Sequence, residues 1–475
     1  MSRCVKGCGN FGSAAKGGLC NACAPAAPPP PLPPEIAALH PDRAIALQIH
    51  RNRQADARCV AVRVSADASR DARVGLVLDD AAGTMAAHAP LDEAAWAAGL
   101  AALGAGAPPA AQGALCTHLA ASSANERPER ILAAAALLRD SGLAARCVAL
   151  RGRPASDAEL ARVHSAAHAE ALSSVSPSAP PGALLTAMRA CNYVFLNEHS
   201  AGAARFAAGA AVEAAVAVAR GEVGSAVCVV RPPGHHAEPH CMMGFCLANS
   251  VAVAAGAALA EGLQRVLIVD WDIHAGNGTA QAFAQDPRVL VFSLHAEEAY
   301  PYPARPMAAH GARAVGEGAG RGYSANVAWG RPGGAVGEEG GDAEYAHAFD
   351  ALLMPVARAF DPQLVLVSAG FDSAAGDEMG FCLTPQGYAA LTARLRTLAG
   401  GRVVLVLEGG YNVPAVARGL HACTAALLGA VEGQGSAEGA GGGLQGVGQQ
   451  RPSELAVRCV AETAAALREF WPCLQ

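Results

Sequence analysis

Asp270, Asp272 and His274 occupy every second position in the stretch VLIVDWDIHAGNGT. Alternate residues of an extended chain point the same way, so two carboxylates and an imidazole share one face. The four residues ahead of them, Val266–Val269, are uninterrupted apolar, the pattern of a strand buried on both faces. The carboxyl end of such a strand is where open α/β sheets build their sites. Gly276 and Gly278 let the chain turn tightly beside whatever is held there. An ordinary strand followed by a polar turn has the same text, so the rest of the chain decides.

Three further apolar strands also end in reactive clusters: RPPGHH after Val227–Val230, AGFD after Leu364–Ser368, and EGGYN after Val403–Leu407. In a parallel sheet those ends lie along one edge and the clusters converge. Asp272, His274 and Asp372 then form a candidate three-ligand set for a divalent metal with an open position. Zn²⁺ is the first choice, and carboxylate-rich sites also suit Fe²⁺ or Mn²⁺. His235 and His236 follow the rigid Pro232–Pro233–Gly234, which would fix their aim as general base and electrostatic or acid partner. Tyr411, after Gly409–Gly410, could donate its hydroxyl to a developing oxyanion. Seen singly, each has a plainer reading: Asp372 as a turn residue after Gly370, the histidines as a polar turn, Tyr411 as structural. His164 and His168 sit four apart on an expected helix, but no Glu follows the first His as in the zinc-protease pattern. They read as helix packing and capping.

Strand patterns at 73–79, 227–230, 266–269, 289–294, 364–368 and 403–407 alternate with helix patterns at 128–138, 157–172, 202–220, 249–263, 343–360 and 385–398. That alternation predicts an α/β fold, a parallel sheet wrapped on both faces. Another amphipathic helix is expected over 453–470. The chain of 475 residues is 52% hydrophobic and holds room for one large domain or two to three smaller ones. Its net charge of −6, with mixed signs, gives no general reason to expect nucleic acid. No apolar run reaches the roughly 18–20 residues of a membrane span, and MSRCVKGCGN lacks a hydrophobic signal core, so neither membrane insertion nor secretion is expected. Fifteen cysteines, an odd number widely scattered, favour reduced thiols and metal ligation over a disulfide framework.

Four of them, Cys4, Cys8, Cys20 and Cys23, have spacing suited to a tetrahedral structural zinc. The division that follows is 1–24 zinc finger, 25–72 proline-rich linker and unassigned, 73–430 catalytic domain, 431–450 Gly/Gln-rich linker, and 451–475 C-terminal helix.

RPPGHHAEPHCMMGFCLANSVAVAA, VLIVDWDIHAGNGTAQAF, LVLVSAGFDSAAGD and VVLVLEGGYN together resemble the zinc-dependent histone deacetylases, most closely their class II branch. The resemblance runs from about Arg127 to Leu428 and implies a single α/β domain with a central, mainly parallel sheet. It implies zinc on Asp272, His274 and Asp372, His236 as general base toward the attacking water, and His235 as the second, electrostatic or acidic histidine. Asp270 and Asn277 match the groups that orient the two imidazoles. Tyr411 matches the tyrosine that polarises the acetyl carbonyl. Gly244 and Phe245 match one wall of an acyl-lysine tunnel, and Tyr302 supplies the other. Ser293 and Asp270, with backbone carbonyls of Asp272, His274 and Leu294, match a structural monovalent-cation site, K⁺ being the expected ion. Acetylated proteins, histone tails among them, are the implied substrates, in the nucleus or cytoplasm.

Two departures stand out. Ala275 replaces a second, non-ligating histidine of the family. Met379 stands where the polyamine-preferring branch has an acidic residue, with Glu378 just before it. The apolar residue favours acyl-lysine over a cationic polyamine. Separately, CGNFGSAAKGGLCNAC resembles the ubiquitin-binding zinc finger of the A-twenty type, which makes ubiquitin a candidate partner.

Overall fold

The computed structural model describes residues 2–3, 11–12, 73–78, 126–175, 187, 191–196, 199–297, 299–301, 310–330, 340–429 and 451–475. The N-terminal unit, Met1–Cys59, shows a two-residue antiparallel pairing of β1 (Ser2–Arg3) with β2 (Phe11–Gly12). Cys4, Cys8, Cys20 and Cys23, both linkers and Tyr302 lie outside the described residues.

The second unit is built on eight strands in the order β4-β3-β5-β10-β9-β6-β7-β8. They are β3 (Val74–Leu78), β4 (Val148–Ala149), β5 (Ser225–Val229), β6 (Val266–Asp270), β7 (Val289–Ala296), β8 (Ser324–Trp329), β9 (Leu364–Ala369) and β10 (Val403–Leu407). Every pairing among them is parallel, so the expected parallel sheet is present without an antiparallel edge. Every residue of β5, β6, β7, β9 and β10 is buried, which is why their text is a run and not an alternation. One face, including Ala226, Cys228, Ile268, Leu366 and Val406, packs on the Ala-rich helices Ser200–Ala219 and Ser250–Ala260. Small side chains let those helices approach closely. Ser200–Ala219 has the length and apolar composition of a membrane span, with mean hydropathy 1.4, but 72% of that window is buried inside the protein.

Three elements differ from expectation. The helix expected over 157–172 is two, Asp157–Leu160 and Ala166–Ser174. Ser156 forms a capping box with Glu159, and Ser165 caps the second helix, so two start signals outcompete one continuous helix. The helix expected over 343–360 contains a π-helical turn at Phe349–Leu353. Pro355 lacks the N–H that a continuous α-helical ladder needs there. The edge strand β8 was not legible in SANVAW. The C-terminal helix Glu454–Leu467 lies against it: Thr463 Oγ1 donates to Asn326 O at 2.7 Å, and Trp471 Nε1 donates to Gly322 O at 2.8 Å. The sheet edge is thereby covered. Among the described residues every cysteine is a free thiol.

Candidate active site

β6 and β9 are adjacent in the sheet, with Asp270 in register with Ser368. Their carboxyl ends therefore deliver Asp272 and Asp372 side by side, both fully buried. His274 Nδ1 lies 3.0 Å from Asp272 Oδ1 and 3.0 Å from Asp372 Oδ2. One donor atom from each of the three residues falls within 4.8 Å of the others. The other carboxylate oxygens are tied back: Asp372 Oδ1 accepts Ile273 N at 2.8 Å, and Asp272 Oδ2 accepts Gly409 N at 2.9 Å. Gly409 is required here, because a Cβ would stand 2.4 Å from Asp372 Oδ2 and 2.5 Å from Asp272 Oδ2.

The three groups of this trio set one another's charge. Burial alone would raise both acids. His235 and His274 hold Asp272 below its ordinary range, whereas Asp372, beside the charge on Asp272, is pushed up to about 7. Burial opposes charge on His274, but its hydrogen bonds to both acids win and hold it up at about 10. Two buried carboxylates and an imidazole within reach of one another form an O,N,O donor set suited to a divalent cation, which would keep both acids ionised and His274 neutral.

Behind the trio, His235 and His236 sit with ring centroids 4.0 Å apart. Their partners differ in kind. His235 Nδ1 meets Asp270 Oδ2 at 2.9 Å, and Asp272 and Asp270 outweigh burial to raise this imidazole well above its ordinary pKa. His236 Nδ1 meets the neutral Asn277 Oδ1 at 2.8 Å. Burial, reinforced by the charges on His235 and His274, holds His236 well below its ordinary pKa. The two rings are thus pushed in opposite directions, His235 toward the charged form and His236 toward the neutral one. With Nδ1–H donated to Asn277, His236 keeps its Nε2 lone pair free to accept a proton.

Tyr411 is half-buried, its ring 5.9 Å from that of Phe245 and edge-on to it. Burial, then Asp372 and Asp272, keep its hydroxyl well above the usual phenol range, so it is a donor at neutral pH. Gly244 and Phe245 both have positive φ, 55° and 65°. A Cβ on Gly244 would stand 2.6 Å from both His236 and Tyr300, so glycine lets the wall close against the histidine. Met379 is half-buried and Glu378 exposed, on the segment after Asp372. In the expected cation site, Asp270 and Ser293 are register partners on β6 and β7, and Ser293 Oγ also lies 2.8 Å from His295 Nδ1.

Sequence reasoning missed several residues. Tyr300 packs edge-on to His236 at 4.9 Å and to Tyr193 at 5.3 Å, and its ring stands beside Gly244. The text AYPYP offers two tyrosines, and spacing does not choose between them. Arg130, fully buried, donates Nε to Gly410 O at 2.5 Å and also bonds Glu408 O and Glu126. Glu126 in turn takes Arg231 Nη2 at 2.5 Å. Contacts across 280 residues leave no trace in a single sequence. His164 and His168 stack at 4.1 Å. His164 lies between two helices, where it receives Asn249 N at 2.9 Å on Nε2 and gives Nδ1–H to Glu238 O at 3.1 Å. The packing role expected for them fits, although not on one helix.

Comparison with known proteins agrees with this geometry. The histone deacetylase domain matches residues 124–427. Histone deacetylase 5 of Arabidopsis thaliana is 40% identical over 357 residues, covering 74% of this chain and 51% of that protein. Histone deacetylase clr3 of Schizosaccharomyces pombe is 48% identical over 241 residues, covering 50% and 34%. The chain spans about half the length, or less, of these curated relatives. The crystal structure of the HDA15 HD domain superposes with a TM-score of 0.66 at 33% identity, covering 85% of this chain and 96% of that one. With its matched domain and the sheet-edge cluster within it, this chain belongs to the histone deacetylase family of hydrolases.

Proposed function

We propose that this chain is a zinc-dependent protein lysine deacetylase, class II-like, that hydrolyses N6-acetyl-lysine to lysine and acetate. The observation that carries the reading is the O,N,O cluster of Asp272, His274 and Asp372 with the histidine pair beside it, His235 tied to Asp270 and His236 to Asn277. Held by Asp272, His274 and Asp372, a zinc ion would supply Lewis acidity toward the acyl oxygen and the attacking water. His236 Nε2 takes the proton of that water as it attacks, with Asn277 fixing the tautomer. The imidazolium of His235, anchored on Asp270, stabilises the negative charge that develops, and the proton taken up by His236 passes to the leaving amine as the C–N bond breaks. Tyr411 donates its hydroxyl to the oxyanion. Phe245 and Tyr300 hold the aliphatic stem and exclude water from the amide. Ala275, buried beside His274, removes a family imidazole without removing a donor from the cluster.

Further parts of the reading are an acyl-lysine preference through Met379, K⁺ on Asp270 and Ser293 with the Asp272, His274 and Leu294 carbonyls, and Tyr302 near the tunnel. A structural zinc on Cys4, Cys8, Cys20 and Cys23 completes it, with ubiquitin as that finger's partner, acetylated proteins as substrates, and action in the nucleus or cytoplasm. Glu378, exposed next to Met379, favours a second reading in which acetylated polyamines are turned over. Purified protein is assayed on an acetyl-lysine peptide and on an acetylated polyamine, with and without chelator. Chelator-sensitive turnover of the peptide is expected. Chelator-insensitive turnover contradicts the reading, and preference for the polyamine replaces its substrate. Pull-down on ubiquitin, with Cys20→Ser as control, tests the finger.

A further inference from the structure

Glu408 directly follows β10 and is 1% exposed. A carboxylate is costly to bury unless its oxygens are hydrogen-bonded. Here one oxygen carries the load. Glu408 Oε2 accepts Gly234 N at 2.5 Å and His235 N at 3.1 Å, across 174 and 173 residues of chain. Its backbone carbonyl accepts Arg130 Nη2. The amide of the next residue, Gly409, holds Asp272 Oδ2, and Tyr411 is three residues along. The Glu408 carboxyl, the Cys246 thiol and a His235 ring nitrogen all lie within 4.8 Å of one another. Oε1 has no hydrogen-bond partner among the described residues.

Glu408 therefore stands where three parts of the site meet. Asp270 and Asn277 orient the two imidazole rings through ring nitrogens, and Asn277 Nδ2 also donates to His236 O at 3.4 Å, but neither takes the amides of Gly234 and His235. That backbone follows Pro232 and Pro233, neither of which has an N–H. Its first two amides after the prolines both go to Glu408 Oε2. Both bonds converge on one oxygen, and that acceptor sits on the same turn that carries Tyr411.

We infer that Glu408 is a positioning residue: its carboxylate fixes the Gly234–His235 backbone to the end of β10 and so sets the distance from the histidine pair to Tyr411 and Asp272. The inference rests on the deacetylase reading for its kinetic consequence only. Glu408 touches neither substrate nor reacting atoms. Its loss acts through placement, and misplacement by about 1 Å can cost on the order of 10²-fold in rate.

The test compares Glu408→Ala, Glu408→Gln and Glu408→Asp with wild type, by steady-state kinetics on an acetyl-lysine peptide and by hydrogen exchange with mass spectrometry. In Glu408→Ala, kcat falls by about 10- to 100-fold with KM nearly constant, and the amides of 234–237 exchange faster while those of β6 do not. Glu408→Gln, which keeps an acceptor at full reach, restores most of both. Glu408→Asp, one methylene too short, does not. If Glu408→Ala fails to fold, the Gln–Asp comparison decides. Wild-type kcat in Glu408→Ala, unchanged exchange at 234–237, or an Asp variant equal to or better than the Gln variant overturns the inference. The exchange readout needs no turnover, so an inactive wild type would refute the deacetylase reading without touching it.

Discussion

Asp377 Oδ2 accepts the backbone amides of both Tyr411 and Asn412, each at 2.7 Å. This one carboxylate oxygen fixes the turn that presents the Tyr411 ring, while Arg130 grips the same turn from behind through Gly410 O. Removing the acceptor leaves two half-buried amides without it. Asp377→Ala should lower kcat by about tenfold through misplacement of the hydroxyl and cost on the order of 1–3 kcal/mol of stability. Asp377→Asn, which keeps an oxygen acceptor, should do much less. Kinetics and denaturant melts of the two variants check the order.

Tyr411→Phe removes a donor and little volume. The rate should fall by on the order of 10²-fold or more, as for loss of one oxyanion donor. Metal content and thermal stability should stay close to wild type. A Phe variant with near-wild-type kcat would remove Tyr411 from the mechanism.

His164 makes a pH prediction with a definite sign. Its Nε2 already accepts Asn249 N–H, so a second proton there has no acceptor. Burial, with the neighbouring His168, lowers it from 6.5 to about 3. His168, Glu238 and His240 are the titratable groups around it. Between pH 6.5 and about 3 the unfolded chain binds a proton that the native chain refuses. The contribution of neutral His164 is thus complete above pH 6.5 and is lost as pH falls toward 3. His164→Gln, neutral throughout, should flatten this acid limb, which stability curves at stepped pH will measure.

Much of the site was legible because its residues fall at the ends of uninterrupted apolar strands. Asp272, His274, Asp372, the histidine pair and Tyr411 all follow such strands in the text, and the sheet brings those strand ends to one edge. What escaped was of two kinds. Arg130, Asp377 and Glu408 act through backbone groups far along the chain, and such partners have no local signature. The break at His164 and the π-helical turn at Phe349–Leu353 depend on capping serines and a proline inside patterns that otherwise read as single helices. Strand β8 is too polar and too near the edge to stand out.

Met379→Glu places a carboxylate at the position that favours cationic substrates in the resemblance. The ratio of acetyl-polyamine to acetyl-lysine-peptide turnover should rise by about tenfold, roughly one charge–charge contact of 1.4 kcal/mol. An unchanged ratio would mean that Met379 does not border the substrate.

If Asp272, His274 and Asp372 hold one cation on which turnover depends, chelation and deletion of one ligand must fail alike. Wild type and Asp372→Ala are stripped with chelator, repleted with Zn²⁺, and measured side by side for metal content and peptide deacetylation. Stripping is expected to abolish wild-type turnover and repletion to restore it, while Asp372→Ala regains neither activity nor the last equivalent of metal. Full turnover by the stripped wild type, or equal metal content in the two proteins, would contradict it.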